Sequence, residues 1–185
     1  MTNTSNPPSF KRALKALSQH LDMGFGTSGL RGTVETLSPE ICYAYTQAFI
    51  QNICQNATHL AIAMDLRPSS PLITKACIQA IEDCHVNVIY CGTLATPALA
   101  HFAMSHKIPC IMVTGSHIPF DRNGLKFYRQ DGEISKQDEE AIQASEITLS
   151  SSASTLEKKN LPPPLTQEQQ NSLPRDTVIF LNAIH

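Results

Sequence analysis

The apolar run Cys110-Ile111-Met112-Val113 breaks off into Thr114-Gly115-Ser116-His117-Ile118-Pro119, and Arg122, Asn123 and Lys126 follow closely. A serine beside an imidazole, on a turn of small residues, is placed to act as a nucleophile or to carry a covalent adduct. A free hydroxyl is weak and needs activation for either role. As a phosphoester, Ser116 would bear close to two negative charges at neutral pH and three acceptor oxygens. His117, Arg122, Lys126 and the backbone around Gly115 and Gly124 are the groups at hand to meet such an anion. Spacing alone also admits a polar turn with no chemistry.

A second cluster lies upstream. Gly24-Phe25-Gly26-Thr27-Ser28-Gly29 spells G-x-G-x-x-G. A dinucleotide fingerprint needs a strand before it, a helix directly after it and an acidic residue about 20 positions on, and this context supplies none of them. A glycine-rich loop over Gly24–Gly32 is expected instead, its amides and Arg31 able to approach an anion closely. Arg31 suits charge stabilisation, because arginine stays protonated. Lys126 can lose a proton when burial or neighbours lower its pKa. Asp65 and Arg67 read as a structural ion pair or a loop anchor. Of the seven histidines only His117 stands in a suspicious place, and none shows metal-ligand spacing.

These residues need elements to hold them. Leu14, Leu17 and Leu21 suggest a first helix over 9–21. Ser38, Pro39 and Glu40 open a helix with Ile41, Tyr45, Phe49 and Ile53 on one face. Then come a strand over 60–64, a helix opened by Ser70-Pro71, a strand over 86–91, a helix from Thr96-Pro97 to about Ser105, and a strand over 108–113. Such alternation with short connections means parallel strands and right-handed crossovers. The turns beginning at Asp65, Gly92 and Thr114 should therefore share the carboxyl edge of one sheet, where ligands gather in open α/β folds. Leu125–Tyr128 adds a strand, and Ser135 with Asp138 caps a last helix to about Ile147. The fold class is α/β, a three-layer α/β/α domain with a mostly parallel sheet. Residues 1–148 form this domain. Residues 149–185 are read as a serine- and proline-rich linker and the start of a second domain.

The bulk properties exclude several classes. The chain has 185 residues, 42% hydrophobic and 16% charged, with net charge −2. That is a globular composition without the basic excess expected for nucleic acid or an anionic membrane surface. No apolar stretch reaches the length needed to span a bilayer, and the polar N-terminus lacks a signal core, so a cytoplasmic protein is expected. The six cysteines form no C-x-x-C pair and read as buried thiols, with a zinc site or disulfides as the alternative.

Four segments, in order, resemble the α-D-phosphohexomutase family. Phe25-Gly26-Thr27-Ser28-Gly29-Leu30-Arg31-Gly32 is similar to its N-terminal signature, and Asp65-Leu66-Arg67-Pro68-Ser69-Ser70 to its D-x-R-x-S-S turn. Gly92–Pro97 resembles its loop ending in T-P. Thr114–Pro119 followed by Asn123-Gly124-Leu125-Lys126 resembles T-[AG]-S-H-N-P and N-G-x-K. The resemblance implies the first of four domains, with Ser116 as the phosphorylated catalytic serine. It would pass phosphoryl groups between hexose 6-phosphate and hexose 1-phosphate through a 1,6-bisphosphate. It implies catalytic roles for Arg31 and Lys126. Phosphate or substrate contacts are implied for His117, Thr27, Ser28, Gly115, Asn123 and Arg122. Hexose 1,6-bisphosphate would be the activator, and Mg2+ would be held by the Ser116 phosphate and by aspartates of a second domain.

Two departures stand out. Ile118 occupies a position where the family often has asparagine, and no D-x-D-x-D-R run occurs. Little turnover is therefore expected of these residues alone, with the remaining domains as their natural partner. The alternative is a non-catalytic remnant that binds a sugar phosphate or docks onto a full-length homologue. A serine hydrolase is disfavoured, because G-x-S-x-G is absent.

Overall fold

The computed structural model describes residues 11–15, 21–26, 29–148 and 160–164. Its centre is a mixed sheet in the order β2-β3-β7-β6-β4-β5. These strands are β2 (Met23–Phe25), β3 (Gly29–Thr33), β4 (His59–Met64), β5 (Asn87–Thr93), β6 (Cys110–Val113) and β7 (Arg122–Arg129), with β8 (Gly132–Glu133) paired to β7. The parallel half is as expected: β4 lies between β5 and β6, parallel to both.

The expectation of a mostly parallel sheet needs correcting. β7 runs antiparallel to β6, β3 to β7 and β2 to β3. The reason is connection length. Only residues 114–121 join β6 to β7, too few for a crossover, so the chain must reverse. The expected loop over Gly24–Gly32 is likewise a hairpin, β2 and β3, closed by the Gly26 amide donating to the Gly29 carbonyl at 2.8 Å.

Among the described residues, four helices given in full flank the sheet: α1 (Pro39–Ile53), α2 (Ser70–Asp83), α3 (Thr96–Ser105) and α4 (Lys136–Gln143). The caps behave as the sequence suggests. The Ser38 hydroxyl accepts from the Ile41 amide, and Ser135 with Asp138 forms a complete capping box. α1 is buried on more than the expected face, with Cys42, Tyr43, Ala44 and Thr46 enclosed as well as Ile41, Tyr45 and Phe49. One core joins α1 and α2 to the sheet face carrying Leu30, Leu60, Ile62, Ile111, Leu125 and Phe127. Phe49 and Phe127 meet there in a tilted pair with ring centroids 4.9 Å apart. On the other face Leu99, Phe102 and Ala103 of α3 pack on Ala61, Ala63, Cys110, Met112 and Tyr128. This gives three layers.

The two ends of the domain differ from expectation. Lys11–Ala13 is strand β1, paired with β9 (Glu146–Thr148), where a helix over 9–21 and a helix reaching Ile147 were expected. Pairing with a segment far along the chain takes Lys11–Ala13 out of the expected helix, while Leu14 and Lys15 directly after it are helical as expected. Residues 16–20 lie outside the described residues, as does most of the segment read as linker and second-domain start. Within it Asn160–Pro164 is described and non-helical. Leu161 packs against the main core. No helix among the described residues is long and apolar enough to cross a membrane.

Candidate active site

The three turns expected at one sheet edge meet there. The Asp65 amide donates to the Val113 carbonyl at 2.9 Å, and the Leu94 amide to the Met64 carbonyl at 3.1 Å. Asp65 is the hub. Its Oδ2 accepts from Thr114 Oγ1 at 2.9 Å and the Gly115 amide at 3.0 Å, and its Oδ1 from the Arg67 amide at 3.0 Å and Ser70 Oγ at 2.5 Å. Burial by itself would raise the Asp65 pKa. The bonds from Ser70, the Arg67 and Gly115 amides and Thr114 outweigh it and hold the carboxyl below its ordinary value.

The loop between β6 and β7 wraps the guanidinium of Arg67. Nη1 donates to the carbonyls of Pro119 at 2.7 Å and Arg122 at 2.8 Å, and Nη2 to those of Ile118 at 2.7 Å and Ser116 at 3.3 Å. Phe120 lies over its outer side, 5.7 Å from guanidinium carbon to ring centroid.

Ser116 stands on this loop, exposed, in the left-handed region at φ 51°. For a side chain other than glycine that is a strained conformation, held only where the surroundings over-determine it. Its amide donates to Thr114 Oγ1 at 2.9 Å, and its hydroxyl shares a 3.2 Å hydrogen bond with His117 Nδ1. The hydroxyl is thus turned outward, beside an imidazole.

Arg31 and Lys126 stand inside the neighbouring strands β3 and β7, and the Arg31 guanidinium lies over Gly26 of the β2–β3 hairpin. Arg31 lies opposite Gly124 across the β3–β7 ladder and opposite Gly24 across β2–β3, while Lys126 is two residues beyond Gly124. Residues two apart share a face, so Arg31 and Lys126 project from one side of the sheet, between glycines. A Cβ on Gly124 would sit 3.2 Å from the Thr114 carbonyl oxygen and 3.4 Å from Arg31 Cγ, so the Arg31 stem and the start of the serine loop converge over this glycine.

Other expected contacts are placed differently. Asn123 is fully buried. Its Nδ2 donates to Ser69 Oγ at 2.8 Å and Ser70 Oγ at 3.0 Å, and its Oδ1 accepts from the Gly124 amide. The expected direct phosphate contact by Asn123 is therefore corrected to a tie between β7 and the Asp65 turn, since none of its amide atoms remains free. The Arg122 guanidinium pairs with Asp22, which draws it toward β2. The Gly115 amide is held by Asp65. Thr27 and Ser28 lie outside the described residues.

Sequence reasoning gave Asp65 and Arg67 only an anchoring role and overlooked Ser70 and Thr114. The available signal was D-x-R directly after a strand predicted to end at the ligand edge. Among the described residues no group of three metal-binding side chains occurs, and both Asp65 oxygens are already engaged. These residues do not by themselves fit a magnesium site. All six cysteines are free, and burial pushes Cys54, Cys77 and Cys91 up to about 12, in keeping with inert thiols.

Comparison with known proteins identifies the fold. Residues 22–151 match the family described as phosphoglucomutase/phosphomannomutase, alpha/beta/alpha domain I. A phosphomannomutase of Salmonella muenchen is 52% identical over 122 residues, which is 65% of this chain and 26% of that protein. A phosphomannomutase of Sinorhizobium fredii is 42% identical over 135 residues, 70% of this chain and 28% of that protein. A phosphoglucosamine mutase of Ligilactobacillus salivarius is 32% identical over 127 residues. Among solved structures, a phosphoglucomutase/phosphomannomutase family protein from Burkholderia thailandensis superimposes with TM-score 0.57 at 27% identity, covering 62% of this chain and 28% of the other. The chain thus spans about a quarter of the length of the curated relatives it matches.

Proposed function

The chain belongs to the phosphoglucomutase/phosphomannomutase family through its α/β/α domain I, and from that premise we propose that Ser116 is the phosphoryl carrier of a hexose-phosphate mutase. The observation that supports it most is the exposed Ser116 hydroxyl, at φ 51° and beside His117 on the loop that follows β6, with Arg31 and Lys126 on one face of the adjoining strands.

The transfer is a simple exchange of bonds. The P–O bond to Ser116 Oγ breaks as a P–O bond to a sugar hydroxyl forms. The sugar hydroxyl gives up its proton to a base, and the seryl oxygen gains one. The resulting 1,6-bisphosphate turns over and returns its other phosphoryl group to Ser116. Such chemistry depends on positioning and on cations that meet spreading negative charge. Arg31 supplies fixed charge, Lys126 assists the proton transfer, and His117 steadies the seryl oxygen through its 3.2 Å hydrogen bond. Mannose phosphates are the favoured substrates, because the two relatives with the higher identities quoted are phosphomannomutases. Bound Mg2+ would add charge neutralisation at the phosphate. Among the described residues the ligand on offer is the Ser116 phosphate, so no step here is assigned to the metal.

These residues carry the phosphoserine and its cations but no identified sugar-reading segment. Orientation of reactants supplies roughly 7–11 kcal/mol of barrier lowering, so the 185 residues alone should turn over little substrate. Intact-mass measurement after incubation with a hexose 1,6-bisphosphate tests the carrier role. Gain of one phosphoryl group, abolished in Ser116→Ala, is expected. Equal uptake by Ser116→Ala, or none by either chain, would refute it.

A further inference from the structure

Arg67 takes no part in the transfer just described, yet every nitrogen of its guanidinium is engaged. Nη1 and Nη2 gather four carbonyl oxygens of the serine loop, and Nε lies 3.5 Å from Asp65 Oδ2. Its side chain is 12% exposed, so water has little access to replace it. The loop is built around this group. A Cβ on Gly115 would lie 2.2 Å from Arg67 Cζ and Nε, so the guanidinium seats against the backbone only because residue 115 has no side chain.

The direction of these bonds matters. A carbonyl oxygen is the negative end of a peptide dipole, and four of them facing a doubly charged phosphoester would oppose it. Arg67 takes up all four as hydrogen-bond acceptors. It also fixes the strained residue: the Ser116 carbonyl is drawn to Nη2 while the Ser116 amide is drawn to Thr114 Oγ1. Both ends of Ser116 are held, which accounts for a left-handed serine. Among the described residues the His117 amide has no protein acceptor, and it belongs to the residue whose ring nitrogen meets the Ser116 hydroxyl.

We propose that Arg67 is a positioning residue that gathers the serine-loop carbonyls to one side, leaving the Ser116 oxygen and the His117 amide as the face that receives phosphate. This rests on the reading of Ser116 as phosphoryl carrier. It assigns Arg67 a geometric role, which a planar fork of donors can fill and a lysine ammonium cannot.

The test installs phosphoserine at position 116 of the whole chain during translation and follows the His117 amide by proton–nitrogen NMR with a chelator present. In the parent chain, phosphorylation should move the His117 amide proton downfield. Arg67→Met and Arg67→Lys should both lose most of that shift. Gly115→Ala keeps every charge but pushes the guanidinium from its seat, and it should lose the shift too. It also covers the case in which Arg67→Met does not fold. Rescue by Arg67→Lys would show a role for charge alone and overturn the proposal. So would an unchanged shift in Gly115→Ala, or no shift in the parent chain. Phosphoryl uptake from the bisphosphate is measured separately, so failure of the carrier role and failure of the clamp are distinguishable.

Discussion

Replacing Asp65 with asparagine keeps the shape of the hub and changes only charge and hydrogen-bond polarity. Four donors converge on the two carboxylate oxygens: two hydroxyls, from Ser70 and Thr114, and two amides, from Arg67 and Gly115. In Asp65→Asn one oxygen becomes an NH2 group. A hydroxyl facing it can turn and accept, but an amide cannot, so one backbone N–H is orphaned whichever way the side chain flips. Leaving it unpaired costs about 1–3 kcal/mol, and exchanging charge-assisted bonds for neutral ones adds about 1 kcal/mol. The Asp65 side chain is 22% exposed, so water relieves part of this. The expected loss is about 2–4 kcal/mol, a fall in Tm of about 5–12 °C for a chain of this size.

Urea unfolding across a pH series provides the assay. The folded-state pKa of Asp65 is lowered. Its stabilisation is therefore fully present above the unfolded value of about 3.9 and is lost as pH falls through the folded value. The gap between parent and Asp65→Asn should be constant from neutral pH down to about pH 5 and should shrink below about pH 3.9. A loss under about 0.5 kcal/mol, which is ordinary for a surface change, would refute the hub argument. A gap that widens on acidification would refute it equally.

Two further outcomes follow from the same geometry. Ser116→Gly relieves the left-handed strain at φ 51° and should raise the urea midpoint, with a gain of about 0.5–1 kcal/mol, while abolishing phosphoryl uptake; a lower midpoint would mean that no strain is stored there. With a thiol reagent at mildly alkaline pH, half-buried Cys84 should react first, with the five buried cysteines following at a measurable rate only after unfolding in urea; rapid labelling of Cys54 or Cys77 in the folded chain would contradict the burial that raises their pKa values.

The parallel half of the sheet and its ligand edge were legible because their signals are local. Apolar runs of strand length alternate with capped helical stretches, and parallel pairing follows from that alternation. The resemblance of four ordered segments pointed to Ser116, Arg31 and Lys126, and the register then set the last two on one face. The hairpin β2–β3 and the strands β1 and β9 were not legible. Their conformation is decided by partners far along the chain, Gly29 opposite Lys126 and Lys11 opposite Thr148.

The sequence by itself supplied the candidate residues for the chemistry and placed the Asp65 and Thr114 turns at strand ends, since residue type and hydrophobic period are properties of the chain alone. Only the tertiary structure decided what each one faces. Asn123 and Arg122 look like anion ligands in the sequence, but folding commits one to Ser69 and Ser70 and the other to Asp22. Arg67 looks like an ordinary anchor, but folding closes the serine loop around it. A hydrogen-bond donor acquires its role from the acceptor that folding brings within about 3 Å, and that choice is made in space.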